Sequence, residues 1–368
     1  MSSNEKYILY GTDHSYYTGK IRPYLRYKGI PYEERLATLL VYSKFIIPRT
    51  GVRFIPVVHT PDNVVIQDTS EIIDCLESRF PFRSVYPESP KQKIVALLFE
   101  LYGDEWFTLP AMHYRWSYLA QQENYVMEEF GNVAGAFLPK RLKRAVGRKV
   151  SRPFKGALKP LGINEHTIPA IEKWYETFLE QFNQHLENYD FLLGSRPCIG
   201  DFALAGPLYA HMLKDPVPGE HLQRVAPLVV DWIERINAYP QAEGAFLEND
   251  AIPVTLEPML KHLFKELWPL LEDTASRLPE WIQQHPEKAT ISRVIGEHQL
   301  RIGEAQASRL VYPYSQWMMQ RPLNVYSNVS AGDKQVVDDF LKSVNGYDGF
   351  QFRIPQPVKR RSNKLIAA

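Results

Sequence analysis

Four consecutive residues with hydroxyl groups, Ser15 to Thr18, stand between the first predicted strand and the first predicted helix. The amino terminus of a helix presents unpaired N–H groups and partial positive charge, which stabilise a thiolate. A hydroxyl there can donate a hydrogen bond to such a thiolate. Because the run contains no cysteine, it cannot itself form a mixed disulfide. The sequence does not fix the turn of the loop, so Ser15, Tyr17 and Thr18 are all candidates, and Ser15 can also be a plain helix cap.

A second pair of polar residues, Asp68 and Thr69, stands at the predicted start of another helix. Ile72, Ile73 and Leu76 follow at helical spacing and predict its buried face. An acid and a hydroxyl at a helix start are ordinary capping residues, and they can also hold the charged end of a ligand. The pair therefore fits either a capped helix or a binding site.

The elements that must position these residues form a strand (7–10), a helix (15–28) and a second strand (32–36), followed by a loose helical stretch. Two short β-branched runs with turn residues between them then predict a hairpin. Pro56 begins the first hairpin strand, where its missing N–H costs least, and the Ile55–Pro56 bond can be cis. This order predicts an α/β domain with a mixed sheet and helices on both faces.

The order of these motifs resembles the thioredoxin-like domain of the glutathione transferase superfamily. That pattern has an apolar residue, a cis-proline, a hairpin, and an acid with a hydroxyl at a helix mouth, and Ile55-Pro56 and Asp68-Thr69 occupy those places. The resemblance implies that the backbone at Ile55 and Pro56 pairs with the glutathione peptide. It also implies that Asp68 and Thr69 bind the γ-glutamyl end.

The first loop is similar to that of serine-type glutathione transferases, such as the tau and zeta classes. Thioredoxins and glutaredoxins have Cys-x-x-Cys there, whereas this chain has Ser15, followed by the basic residues Lys20 and Arg22. Tyr16 departs from the pattern, because proline is common at that position. The resemblance implies that Ser15 is catalytic and binds glutathione, and Tyr17 is the alternative for both roles.

The glycine carboxylate of glutathione has no secure partner in the sequence. The family usually has a basic residue or an amide two residues before the proline, where this chain has Phe54. Arg53 is the substitute that we predict, and Arg49 and Lys44 are further candidates.

A linker rich in proline follows at 81–90, and helical patterns then extend to about residue 250. The segment from Phe191 to Phe202 resembles the family's second-domain signature, in which an aspartate completes a capping box. Asp201 matches this aspartate, and Cys198 replaces the capping hydroxyl. The resemblance implies that the first helices of this domain line a hydrophobic co-substrate pocket, and Trp106 and Tyr114 are our candidates for it.

Residues 125–165 are predicted to be an insertion in the helical domain. The run from Lys140 to Lys159 holds nine Lys/Arg residues and no acid. A solvated arm is the favoured interpretation, and a surface that binds anions or lipid headgroups is the alternative.

The chain continues past the usual family length. Residues 256–268 carry a helical apolar stripe, residues 297–302 and 305–312 predict a hairpin, and residues 334–344 predict a helix. We therefore predict a glutathione-binding domain (1–83), an all-α domain (91–250) and a C-terminal extension of unassigned role (251–368).

The composition limits the classes of function. The 368 residues are 45% hydrophobic with a net charge of +1, which gives no strong overall field for nucleic acid or membrane. Two cysteines, Cys75 and Cys198, cannot build a disulfide framework, and no zinc or phosphate-loop motif is evident. With no leader and no apolar run long enough for a membrane span, we expect a cytoplasmic protein without a bound metal.

The leading hypothesis is a glutathione transferase that adds the glutathione thiolate to an electrophilic apolar substrate, as a homodimer. One alternative is an interaction protein that has this fold without catalysis, which the insertion and the extension favour. A glutathione-dependent lyase, dehalogenase or isomerase is a further alternative that the sequence does not separate from a transferase.

Overall fold

The computed structural model describes residues 6–240 and 243–368. The chain divides into two compact units, and neither is continuous in sequence. The first unit takes the described residues of Met1–Val85, Ala111–Ala157 and Phe202–Glu243. The second unit takes Tyr86–Pro110, Leu158–Asp201 and Gly244–Ala368. The domain boundaries at residues 83, 91 and 250 stay a prediction.

Residues 6–85 form the predicted thioredoxin-like domain, a four-stranded mixed sheet with helices. Its strands are ordered β2-β1-β3-β4, with β1 parallel to β2 and the other neighbours antiparallel. The elements in chain order are β1 (Tyr7–Gly11), α1 (Thr18–Tyr27), β2 (Tyr32–Leu36), α2 (Leu39–Val41), α3 (Ile47–Thr50), β3 (Val57–His59), β4 (Val65–Gln67) and α4 (Thr69–Arg79). A π-helical turn, Tyr42–Ile46, joins α2 to α3.

Helices α1 and α4 pack together through the apolar faces that the sequence predicts. Ile21 and Leu25 of α1 and Ile72 and Leu76 of α4 are fully buried. Removing these faces from water is the main favourable contribution to the packing of such helices. The predicted hairpin is confirmed, with Val57, Val58 and His59 paired to Gln67, Ile66 and Val65.

The helices that follow α4 belong to both units. Those before the extension are α5 (Pro90–Leu101), α6 (Thr108–Ser117), α7 (Leu119–Gly131), α8 (Lys140–Val150), α9 (Arg152–Lys155), α10 (Ile168–Leu186), α11 (Ile199–Pro207), α12 (Pro216–Val225) and α13 (Pro227–Asn237). Two π-helical segments, Tyr102–Trp106 and Leu208–Leu213, extend α5 and α11. The basic run from Lys140 to Lys159 is therefore largely helical, and most of its Lys and Arg side chains are exposed, as expected of a solvated segment.

The capping-box prediction holds at the start of α11. The Asp201 carboxylate accepts hydrogen bonds from the backbone N–H of Cys198 at 2.9 Å and of Leu192 at 3.0 Å. The helix begins at Ile199, directly after Cys198, so the predicted register is confirmed. Asp201 thus satisfies two buried N–H groups that would otherwise lack partners.

The C-terminal extension folds within the second unit. Its elements are α14 (Glu257–His262), α15 (Trp268–Gln284), β5 (Glu297–Ile302), β6 (Ala305–Leu310), α16 (Tyr314–Ser327), α17 (Ala331–Ser343), α18 (Tyr347–Gln351), β7 (Val358–Arg361) and β8 (Lys364–Ala367). The predicted apolar stripe is buried, and the predicted hairpin pairs as β5 and β6. Helix α16 and the hairpin of β7 and β8 were not predicted. No helix in the described residues has the length and apolar character needed to span a membrane.

Candidate functional site

Three segments that carry predicted site residues meet at one edge of the sheet. Tyr10 of β1 pairs with Val57 of β3, which pairs in turn with Gln67 of β4. Because β3 runs antiparallel to both neighbours, the ends of β1 and β4 and the start of β3 lie side by side. Neighbouring strands are about 4.8 Å apart, so the three segments leave the sheet within about 10 Å. The topology thus brings together the loop of Ser15, the Ile55–Pro56 bond and Asp68.

Ser15 lies in the loop that joins β1 to α1 and is half-buried. The helix begins at Thr18 rather than at Ser15, because a turn precedes it. The Ser15 Oγ accepts a hydrogen bond from the Thr18 backbone N–H at 3.3 Å. A serine hydroxyl can accept and donate at once, so this contact fixes the oxygen and leaves its proton able to bond elsewhere.

The other two hydroxyl candidates differ in access. Thr18 is completely buried, and its hydroxyl has no hydrogen-bond partner among the residues that the structure describes. Tyr17 is half-buried, and its ring lies 4.7 Å from that of Tyr16. Ser15 and Tyr17 are therefore the hydroxyl groups of this loop that remain accessible.

A buried ion pair supports the backbone of the Ser15 loop. The guanidinium of Arg115 makes two hydrogen bonds to the Asp215 carboxylate, at 2.6 and 2.7 Å, and a third to the carbonyl of Ala210 at 2.9 Å. It also donates to the backbone carbonyl of His14 at 3.4 Å, one residue before Ser15. Arg115 and Asp215 are almost completely buried. Residues 100 apart in the chain thus fix the backbone next to Ser15.

Two histidines complete this support. His211 donates from Nδ1 to the carbonyl of Ala111 at 3.1 Å, and its Nε2 lies 3.0 Å from Arg115. Burial and the charge of Arg115 lower the pKa of His211 well below its usual value, so the neutral ring accepts from Arg115. Burial also lowers the pKa of His14, whose Nδ1 lies 3.2 Å from a Glu129 carboxylate oxygen. The sequence does not predict these residues, because nothing in their spacing indicates that they meet.

A close backbone approach also constrains the loop. Gly206 of α11 lies against it, and a Cβ on Gly206 would lie 2.6 Å from the carbonyl oxygen of Tyr16. Only glycine allows this approach without a shift of the loop.

Asp68 has an unusual backbone conformation at the mouth of α4. Its φ of 89° and ψ of 131° lie in a region that residues with a Cβ rarely adopt. Its Oδ1 accepts from the N–H groups of Ser70 at 3.0 Å and Glu71 at 3.3 Å, which caps the helix. Strained conformations of this kind are concentrated at ligand-binding and active sites. Thr69, the other member of the pair, is only 4% exposed.

The peptide bond between Ile55 and Pro56 is cis, as predicted. Ile55 packs against the cluster of Tyr10 and Val57, and Arg53 is exposed at the surface. Arg49, the alternative partner for the glycine carboxylate, donates to the carbonyl and side-chain oxygens of Asn63 at 2.9 and 3.0 Å. Arg53 and Lys44 are the exposed candidates that remain.

The basic residues after Ser15 are buried. Arg22 makes two hydrogen bonds of 2.7 Å to the Glu34 carboxylate on β2. Lys20 is only 1% exposed. The Arg22–Glu34 contact fixes α1 against the sheet, which is a structural role.

The two candidates for the co-substrate pocket are buried as well. Trp106 is completely buried in the second unit, with its ring 6.0 Å from those of Trp174 and His262. Tyr114 is 6% exposed in the first unit and stacks on Tyr118 at 5.6 Å. Their contacts are those of core aromatic residues, and the pocket role stays a prediction.

Two cavities of about 450 and 530 Å³ are lined by residues of the second unit, and neither includes a predicted site residue. Among the described residues no group of three or more His, Cys, Asp or Glu side chains could hold a metal ion.

Comparison with known protein families identifies the chain's relatives. Residues 9–92 match the model of the glutathione S-transferase N-terminal domain, and residues 165–240 match that of the C-terminal domain. The chain belongs to the glutathione transferase superfamily. No match to the chain was found among curated proteins.

Several solved structures of this superfamily are similar to the chain. A glutathione S-transferase from Methylobacterium radiotolerans, in complex with glutathione sulfonate, is 18% identical with a TM-score of 0.40 and covers 64% of this chain and 92% of its own. A tau-class glutathione S-transferase from mango, Mangifera indica, is 18% identical with a TM-score of 0.41 and coverages of 68% and 94%. The beta-etherase LigF from Sphingobium is 16% identical with a TM-score of 0.44 and coverages of 64% and 96%. Similarities of this size do not bear on ligand or activity.

Neither cysteine lies on the loop of Ser15. Cys198 is completely buried at the start of α11, and burial raises the pKa of its thiol well above the usual value. Cys75 is half-buried on α4 and is not in a disulfide. We expect the double variant Cys75→Ser, Cys198→Ser to keep any rate of glutathione conjugation within about twofold, since the buried Cys198 thiol is a poor nucleophile and Cys75 is not on the loop of Ser15. Conjugation kinetics measure this, and a loss of activity with an unchanged circular dichroism spectrum would indicate a thiol mechanism.

Proposed function

We propose that this protein is a glutathione transferase that conjugates the glutathione thiolate to an electrophilic apolar substrate. The observation that carries the proposal is the convergence of Ser15, the Ile55–Pro56 bond and Asp68 at one edge of the thioredoxin-like sheet. Membership of the superfamily supports glutathione as the co-substrate.

The residues at this edge fit the two ends and the sulfur of glutathione. Asp68 offers a carboxylate for the α-amino group. The cap bonds of Asp68 go to Ser70 and Glu71, so they do not use the N–H of Thr69, which can meet the γ-glutamyl carboxylate. The backbone of Ile55 and Pro56 offers partners for the peptide. Exposed Arg53 offers a cation for the glycine carboxylate.

Ser15 acts on the sulfur in this proposal. Glutathione supplies a thiol that is mostly protonated at neutral pH and is nucleophilic as the thiolate. The Ser15 hydroxyl, fixed by the N–H of Thr18, donates to the sulfur. The positive end of the α1 helix dipole adds partial positive charge. Both effects favour the charged form of the sulfur and therefore its attack on the electrophile.

Asp68→Ala is expected to weaken glutathione binding by about 1–3 kcal/mol, because a hydrogen bond to a charged group is lost. The same change removes a helix cap and should lower the free energy of unfolding by about 1 kcal/mol. Asp68→Asn is the matched control, since it keeps a capping oxygen, tolerates positive φ and removes only the charge. Calorimetric titration with glutathione separates the two effects, and wild-type affinity in both variants would remove Asp68 from the site.

Retention of the wild-type chain on immobilised glutathione, followed by conjugation to chlorodinitrobenzene, tests the whole proposal. A transferase is retained, is eluted by free glutathione and forms the conjugate. Failure of retention would contradict glutathione as the ligand.

A second candidate is a non-catalytic protein that binds glutathione or a partner through the same fold. The burial of both Trp106 and Tyr114 favours it, because neither side chain offers an open apolar surface to an electrophile. Retention on glutathione without conjugation of any electrophile would support this candidate. Cleavage or isomerisation of a glutathione-dependent substrate would instead assign the lyase, dehalogenase or isomerase class.

The proposal includes a homodimer in the cytoplasm, as the family resemblance implies. Two cysteines without a disulfide are compatible with a reducing compartment. Size-exclusion chromatography with light scattering measures the oligomeric state directly.

A further inference from the structure

One surface of the first unit has no part in the proposed glutathione site. Residues 136–157, which we call the basic segment, contain eight Lys/Arg residues and no acid. The segment includes α8 and α9. Its charge differs from that of the whole chain, whose net charge is only +1.

The inner side of α8 is firmly docked on α7. A Cβ on Gly147 would lie 2.0 Å from the carbonyl oxygen of Met127, and a Cβ on Gly131 would lie 2.1 Å from that of Lys143. Glycine at both positions lets the two helix backbones touch. The basic segment is therefore a packed part of the unit with a defined outer face.

Three cations of α8 form ion pairs with acidic residues of α7. Arg148 lies 2.9 Å from the Glu123 carboxylate, and Arg144 lies 3.0 Å from that of Glu128. Lys140 lies 3.6 Å from Glu128. These pairs connect α8 to α7 and neutralise the carboxylates of Glu123 and Glu128.

The side of the basic segment that faces away from α7 carries further cations. Arg141, Lys149, Arg152 and Lys155 are exposed and form no ion pair within the part of the chain that the structure describes. Arg141 and Lys149 are eight residues apart, about two helical turns, and so share the face of α8 that points away from Gly147.

Large apolar side chains stand among these cations. Phe137 is 88% exposed, Leu142 is 54% exposed and Phe154 is 49% exposed. Phe137 lies three residues before α8 begins at Lys140, and Leu142 lies next to Arg141 in the first turn of α8. Exposed aromatic and aliphatic side chains beside Lys and Arg are the composition of surfaces that lie in the headgroup region of a membrane.

We propose that the basic segment binds the surface of an anionic lipid bilayer. Arg141, Lys149, Arg152 and Lys155 bind the lipid phosphates and carboxylates, while Phe137 enters the boundary between headgroups and acyl chains. Binding of nucleic acid would use the cations and leave Phe137 and Leu142 in water. The bilayer accounts for both kinds of exposed side chain.

Flotation of the full chain with vesicles of phosphatidylcholine, with and without phosphatidylserine, tests the proposal. The wild type should float with the anionic vesicles and stay in solution with the neutral ones, and added salt should release it. The triple variant Arg141→Glu, Lys149→Glu, Arg152→Glu should lose about 100-fold or more in partitioning. The matched control reverses three exposed cations of the C-terminal hairpin, Lys359, Arg361 and Lys364, and should float as the wild type does.

Phe137→Ser tests the apolar part separately and preserves every charge. It should reduce partitioning into anionic vesicles roughly tenfold, with an unchanged circular dichroism spectrum. Three results would each overturn the proposal. The two triple variants could lose partitioning equally, Phe137→Ser could float as well as the wild type, or the wild type could bind mixed-sequence RNA and fail to float.

Discussion

Replacing Arg115 with methionine is expected to lower the free energy of unfolding by about 3–5 kcal/mol. The change leaves the Asp215 carboxylate buried without its partner, and Asp215 is completely excluded from water. It also removes the hydrogen bonds to the carbonyls of Ala210 and His14. An unpaired charge inside a protein costs far more than the net stabilisation from the pair itself.

Urea denaturation followed by circular dichroism measures this loss. Arg148→Met is the matched control, because it breaks an exposed pair with Glu123 in the same unit and should cost at most about 1 kcal/mol. Adding Asp215→Asn to Arg115→Met should recover part of the stability, since the buried charge is then gone. Equal effects of Arg115→Met and Arg148→Met would show that the buried pair has no special weight.

Ser15→Ala is expected to lower the turnover of glutathione conjugation on the order of 100-fold, with little change in glutathione affinity. The Ser15 hydroxyl interacts most strongly with charged sulfur, so its loss affects the reactive state more than the bound neutral thiol. The apparent pKa of bound glutathione should rise, because a donor to the thiolate has been removed. The pH–rate profile of the variant should therefore shift to higher pH.

Two further variants show whether Ser15 is the right hydroxyl. Thr18→Val keeps the shape of the side chain and removes a buried hydroxyl that has no partner in the described part of the chain, so it should leave the profile unchanged. Tyr17→Phe removes the other accessible hydroxyl. If the pH–rate profile shifts in Tyr17→Phe alone, the site is of the tyrosine type. If it shifts in none of the variants, the amino terminus of α1 alone activates the glutathione thiol.

The strands and helices that carry the glutathione-binding edge follow from local sequence patterns. Alternation and turn residues predict the hairpin of Val57 and Val65, and apolar spacing predicts α4 after Asp68. The order of these elements then determines which strand ends meet. Because these signals are local, a single sequence is enough to read them.

The support of the site depends on contacts that local patterns do not show. Arg115 and Asp215 meet across 100 residues, so neither has a neighbour that indicates a buried pair. The burial of Thr18 depends on where the turn before α1 ends. The docking of α8 depends on the approach of Gly147 to Met127, which a composition of cations and small residues does not predict.

Helix α16 was missed for a different reason. Pro322 lies inside it, and proline normally ends a helical pattern because it lacks an N–H group. Here tertiary packing stabilises the helix, since Met318 and Met319 are buried and Arg321 lies 3.0 Å from the completely buried Glu100. Packing of this kind overrides local propensity.

Calorimetric titration of the wild-type chain with reduced glutathione tests the central claim most directly. The proposed site predicts saturable binding of one glutathione per chain, weakened in Asp68→Ala and nearly unchanged in Ser15→Ala. Absence of binding by a folded wild-type chain, or equal binding by Asp68→Ala, would contradict a glutathione site at this edge of the sheet.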